Sequence, residues 1–221
     1  MNGSHNINFN GILSGYIYNT STQIEKCGLQ LFDEVKFDKD VLKTHWESYL
    51  FFSKEALAGE EIANNNGEFC YPILCCRAQN RVIILSKNKK IVSYLISKLN
   101  QYKNTQFSNT YVSVDQLIHH FFKFSQDYII TLINANYTGH GNALDYVVLS
   151  GNNISEADIF IKYIDTFNIF RCGLRLYDSR EDLLKISNNG SISFTFNYNS
   201  TEILQQIDTF LSYIKELNLL R

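Results

Sequence analysis

Two apolar runs, "FCYPILCC" from Phe69 and "RVIILS" from Arg81, are separated by a short polar break at Gln79-Asn80. Each is the length of a strand, so the pair predicts two strands joined by a tight turn. "KKIVSYLISKLN" follows, with Ile91, Leu95 and Leu99 at helical spacing. "SVDQ" (Ser113 to Gln116) has the spacing of a capping box. It predicts a helix bearing Leu117, Ile118, Phe121 and Phe122 on its apolar side. "YIITLIN" and "DYVVLSG" read as buried strands, and "SEAD" opens a helix striped by Phe160, Tyr163, Ile164 and Phe167. "FRCGLRLYD" alternates Phe170, Cys172, Leu174 and Leu176 against Arg171, Gly173, Arg175 and Tyr177, a strand pattern. Asn189-Gly190 is the strongest hairpin signal and joins "LLKIS" to "SISFTF". A last helix runs from about Thr201, with Ile203, Ile207, Phe210, Leu211, Ile214 and Leu217 inward.

Earlier in the chain, "FDKDVLKTHWESYLFFSKEALAG" places Leu42, Trp46, Tyr49, Leu50 and Leu57 on one helical face. Asp38 or Asp40 is its expected cap and Gly59 its stop. The recurring unit is strand, strand, helix. That predicts an α+β fold with largely antiparallel sheet and helices on one face. The expected organisation is one compact domain over residues 1–221, with room for two closely packed sub-structures, about 1–68 and 69–221.

The heptad "CGLQLFD" (Cys27 to Asp33) returns as "CGLRLYD" (Cys172 to Asp178). Similar half-buried strand surroundings explain it, and a pseudo-symmetric pair of sub-structures is the sharper alternative. The match stops outside the heptad, because a helix is expected after Asp33 and a strand pair after Asp178. In neither reading does the heptad hold a nucleophile with a base.

Composition narrows the class. Of 221 residues, 45% are hydrophobic and 19% charged, which is globular rather than disordered. A single proline excludes a proline-rich linker, and aromatics at 14% leave some rings for a surface. Five cysteines at irregular spacing do not form a disulfide framework. Neither a signal peptide nor an apolar run of about 20 residues is legible. The chain therefore reads as cytoplasmic and away from membranes, and its richness in Asn, Ile and Lys suggests a bacterial source.

Net charge is only −2, but it is unevenly placed. From Phe69 to Val114 there is no Asp or Glu, while Arg77, Arg81, Lys87, Lys89, Lys90, Lys98 and Lys103 all fall there. The other 13 basic residues face all 22 acidic ones, a balance of −9 outside the segment. Arg77, Arg81, Lys87, Lys89, Lys90 and Tyr94 form the candidate anion- or partner-binding set. A strand-to-helix junction at "SKNKK" adds free backbone donors to the lysines, and Tyr94, Tyr102, Phe107 and Tyr111 interleave aromatics. A solvated basic face is the plain alternative.

Other chemistry is sparse. His140, between Gly139 and Gly141, is the one candidate acid or base. "DSRED" (Asp178 to Asp182) with Arg171 and Arg175 reads as a surface salt-bridge network. His119 and His120 diverge on their helix, cannot share an ion and are expected to face solvent. Cys75 and Cys76 beside Arg77 are expected to be buried strand thiols. No metal or cofactor is implied. These features predict a non-catalytic interaction module, a subunit or adaptor of a bacterial multi-component system of the defence or toxin–antitoxin kind. A protein partner is expected at the basic segment. Two alternatives stand beside it: an enzyme acting on a phosphate-bearing substrate through His140, and a non-catalytic protein binding nucleic acid through residues 77–103.

Overall fold

The computed structural model describes residues 12–21, 23–24, 35–40, 46–54, 67–101, 106–124, 127–137, 146–176, 183–195 and 200–221. The fold is α+β with antiparallel strand pairing, as the strand-strand-helix pattern predicts. Contacts divide the chain into two compact units. One comprises Met1–Thr110 with Asn199–Gln205, and the other Tyr111–Tyr198 with Gln206–Arg221. Residue 68, the expected sub-structure boundary, falls inside the first unit, between two strands that pair with each other.

In the first unit the strands are β1 (Ile12–Thr20), β2 (Val35–Asp40), β3 (Trp46–Ser53), β4 (Phe69–Cys76) and β5 (Arg81–Ile84). They pair in the order β2-β3-β4-β5-β1. Helix α1 (Lys89–Gln101) follows, and then the short β6 (Phe107–Asn109), which also pairs with β1. The expected β4–β5 hairpin is present, with Cys76 opposite Arg81. Its turn is a 3-10 turn, Arg77–Gln79, closed by Asn80 at φ 51° and ψ 48°. Asn is among the residues that visit this left-handed backbone most readily. Here the Asn80 side-chain oxygen accepts the Ile24 amide hydrogen, and its carbonyl accepts that of Thr20.

The helix expected between Asp38 and Gly59 is not formed. β2 and β3 occupy that stretch as an antiparallel pair. Trp46 to Phe51 are buried one after another, which a strand covered on both faces requires and a one-sided helix does not. Short apolar runs fit either period, and the aromatic content of "WESYLFF" decides for the strand. Leu42, Leu57 and Gly59 lie outside the described residues. A hairpin therefore follows Asp33 just as one follows Asp178, so the reason for setting aside a pseudo-symmetric reading of the heptad does not hold. The first heptad itself lies outside the described residues.

Helix α1 packs its apolar stripe of Ile91, Val92, Leu95, Ile96 and Leu99 on one face of this sheet, against Tyr18, Tyr49, Tyr71, Ile73 and Ile84. Each such side chain contributes about 1.5–3 kcal/mol of burial. The other face is buried too, through Ile17, Leu50, Leu74, Cys76 and Ile83. At Gly15 an added Cβ would stand 2.5 Å from the Ile84 carbonyl oxygen, so glycine permits the close approach of β1 to β5.

The second unit holds α2 (Val114–Phe124), β7 (Tyr128–Tyr137), β8 (Val147–Ser150), the short α3 (Asp158–Tyr163), β9 (Phe167–Leu176), β10 (Leu183–Ser187) and β11 (Ser191–Thr195). Helix α4 (Ser200–Glu216) ends the chain. The sheet order is β11-β10-β9-β7-β8. At the β10–β11 turn Gly190 has φ +72°, the left-handed residue a three-residue hairpin loop needs. Asn188 in this turn accepts the Val114 amide hydrogen and so caps α2 from outside it.

One face of this second sheet is apolar: Ile130, Ile133, Cys172, Leu174, Leu184, Ile186, Ile192 and Phe194 are all buried. α2 packs on β7 and β9. Strand β8 departs from the buried reading, since Val148 is half exposed at the sheet edge. β9 departs from strict alternation. Asn134 pairs with Arg171 but Ala135 with Ile169, which leaves Phe170 as a bulge residue.

Candidate interaction surface on helix α1

The acid-free segment runs through β4, β5, α1 and β6. Its cations divide into two groups. Arg81 ends the β4–β5 turn and is only 2% exposed. Its Nε donates to the Asn19 side-chain oxygen at 3.1 Å and an Nη to that of Gln79 at 2.5 Å. Arg77 forms an ion pair with Glu47, the latter's side chain being 9% exposed. Arg77 is therefore paired while partly exposed, and buried Arg81 does not belong to a surface patch.

Glu47 is the feature that the sequence reading missed. It stands on β3, directly opposite Cys75 on β4, and accepts the Tyr49 hydroxyl at 2.6 Å as well as the Arg77 guanidinium. The available signal was a lone acid among the apolar residues of β3, with Arg77 directly following the apolar run of β4. Burial, with the Glu47 hydrogen bond adding to it, pushes the Tyr49 phenol well above its ordinary range. Burial, with the Glu47 charge second, pushes the Cys75 thiol up to about 12 against the opposing pull of Arg77. Cys75 and Cys76 are thus buried, inert thiols, as expected of that strand.

Lys87, Lys89 and Lys90 are exposed at the start of α1 and form no ion pair among the described residues. Asn88 sets their geometry. Its side-chain oxygen accepts the Lys90 amide hydrogen at 2.9 Å, an N-cap that takes up one of the free helix donors. The Ser86 hydroxyl oxygen accepts the Asn88 amide hydrogen and fixes the cap. The same helix face continues with Ser93, Tyr94, Ser97, Lys98 and Gln101. Tyr94 is 39% exposed, lies edge-on to Phe51 and carries the Lys98 ammonium 5.7 Å from its ring centre. Beside it is a shallow depression of about 540 Å³ lined by Ser93, Ser97, Asn100, Phe107 and Asn109 among others. The Asn100 side chain bonds both backbone groups of Phe107 and fixes β6 to the helix. The surface offers positive charge, hydroxyls, amides and one phenol ring.

Elsewhere, His119 and His120 are half-buried rather than solvent-facing. His119 lies between Asp115 and Asp165, 3.9 Å from each. The Nε2 of His120 is 2.9 Å from the Tyr213 hydroxyl. The two rings diverge, as their adjacent helical positions require. Phe107 is buried and Tyr111 exposed. His140, the "DSRED" acids, Tyr102 and Lys103 lie outside the described residues. Among the described residues no group of three or more His, Cys, Asp or Glu is placed to hold a metal, and no helix is long and apolar enough to cross a membrane. No protein-family model matches the chain, and no curated protein matches its sequence.

Proposed function

We propose that the chain is a non-catalytic interaction module, a subunit or adaptor that docks an acidic protein surface against the exposed face of α1. The observation that carries this reading is the division among its cations. Arg77 and Arg81 have partners inside the first unit, whereas Lys87, Lys89 and Lys90 stand exposed beside Tyr94. A cluster with no ion pair among the described residues, at the start of a helix with no acid along its length, attracts negative charge from solution and steers its approach. Tyr94 supplies the ring that anchors such contacts.

The test is affinity purification of the tagged chain from its own cells, beside a Lys87→Glu/Lys89→Glu/Lys90→Glu variant. Surface changes of this kind stay within about ±0.5 kcal/mol each, so the variant remains folded. The module reading expects a protein retained by the wild type, released by rising salt and lost from the variant. Retention of the same partner by the variant, with no response to salt, would contradict it.

A further inference from the structure

The second unit's sheet has a second face, and its composition is unlike the first. Cross-strand pairing arranges it in rows. One row runs Val148, Asn134, Arg171, Ser187. The next runs Ser150, Leu132, Gly173, Lys185, Ser193. A third runs Ile129, Arg175, Leu183, Thr195. Apart from Gly173, every residue of these rows is at least partly exposed. None of the five strands contains Asp or Glu. Each row contributes one cation, Arg171, Lys185 and Arg175 in turn, and rows two residues apart are spaced by about 6.8 Å.

These cations differ from Arg77, which is paired with Glu47, and from Arg81, which is buried between two amides. Neither Arg171 nor Lys185 forms an ion pair among the described residues. Arg175 donates one Nη to the Asn152 carbonyl, and its Nε is buried without a hydrogen-bond partner. Gly173, between the two arginines, is buried, and a Cβ there would stand 2.9 Å from that of Leu132, so glycine permits the close approach of β9 to β7. Aromatic rings lie at the end of the first row. Tyr146, 51% exposed, meets the bulge residue Phe170 at 5.9 Å between ring centres. Its hydroxyl accepts the Asn134 amide, which fixes the ring beside Arg171.

We propose that this open face of the β7–β11 sheet binds single-stranded nucleic acid. The Arg171–Lys185–Arg175 ladder tracks a phosphate backbone, and the Tyr146–Phe170 pair stacks a base. Charge complementarity selects a polyanion, and the ring pair selects one with unpaired bases, whose π-faces a duplex hides. The surface is distinct from α1 and the inference stands without the reading of that helix.

The test is fluorescence anisotropy of the full-length chain with a labelled 20-nucleotide oligo-dT and oligo-rU at 50 and 200 mM salt. The comparison variants are Arg171→Glu/Lys185→Glu, its milder form Arg171→Gln/Lys185→Gln, Tyr146→Ala and the α1 triple lysine variant. The Gln pair keeps side-chain bulk should the Glu pair disturb folding. The expected result is salt-sensitive binding that the α1 variant retains. Either double variant flattens the log–log salt slope by about 1.4 for two lost single-strand phosphate contacts. Tyr146→Ala weakens binding roughly fivefold or more. The proposal is overturned by absence of binding at 50 mM salt, or by equal binding in the double variants. Duplex bound as tightly as single strands would also overturn it. So would poly-glutamate binding without oligonucleotide binding, which would assign the face to an acidic protein.

Discussion

The two units place arginines on strands or at their ends and treat them in opposite ways. In the first unit Arg81 is enclosed by Asn19 and Gln79, and Arg77 is tied to Glu47. In the second, Arg171 sits on a central strand, exposed and without an ion pair among the described residues. The cause is the covering of the sheets. β3 to β5 bury consecutive residues on both faces, so a charge there needs a partner. β9 and β10 bury one face and, Gly173 apart, leave the other at least partly exposed, so Arg171 there remains hydrated. A count of cations along the chain therefore does not give the cations available to a partner, and the layer structure decides which remain.

Adjacent residues give the largest test of this contrast. Ile73→Ala and Leu74→Ala, on opposite faces of β4, should each cost about 2–5 kcal/mol in chemical denaturation. On β10, Ile186→Ala should cost as much while its neighbour Lys185→Ala stays within about ±0.5 kcal/mol. Similar losses at Lys185 and Ile186 would mean the second sheet is covered on both faces. The charged pairs sharpen the point. Glu47→Ala should cost about 1–3 kcal/mol, below the range for a fully buried pair because the Arg77 side chain is 35% exposed. Arg171→Ala should be nearly neutral, as judged by the same denaturation midpoints.

How far the sequence foretold this depends on the kind of signal. α1 was legible because Ile91, Leu95 and Leu99 keep a helical period over three turns, and the β10–β11 hairpin because Asn189-Gly190 permits only a tight turn. β3 was not, since Trp46, Tyr49 and Leu50 fall at helical spacing around the polar Glu47 and Ser48, and only the structure shows that the polar pair is buried as well. The lysines of α1 were legible as exposed from their place at a polar junction. The fate of Arg77 and Arg81 was not, because Glu47 and Asn19 lie 30 and 62 positions away and only strand pairing brings them near. The open face of β9 was half visible: Arg171 and Arg175 alternate with Cys172 and Leu174, but the bulge that leaves Phe170 unpaired leaves no trace in the alternation.

A smaller effect common to both units is alkaline. Burial holds the Cys75 and Cys172 thiols at about 12, above the ordinary 9. Between those values the unfolded chain loses protons that the folded one keeps. Their stabilising contribution is complete below pH 9 and falls as pH rises toward 12. Thermal unfolding should show this decline. Replacing both cysteines by Ala should flatten it, even though the double variant is less stable overall. Thiol labelling at neutral pH should modify exposed Cys70 well before Cys75, Cys76 or Cys172.

The availability of each cation can be measured directly on the native chain by arginine modification with phenylglyoxal, quantified residue by residue by mass spectrometry. Arg171 should react fastest, Arg77 more slowly because Glu47 holds it, and Arg81 only once the protein unfolds. Arg81 reacting as fast as Arg171 in the folded protein would contradict the account.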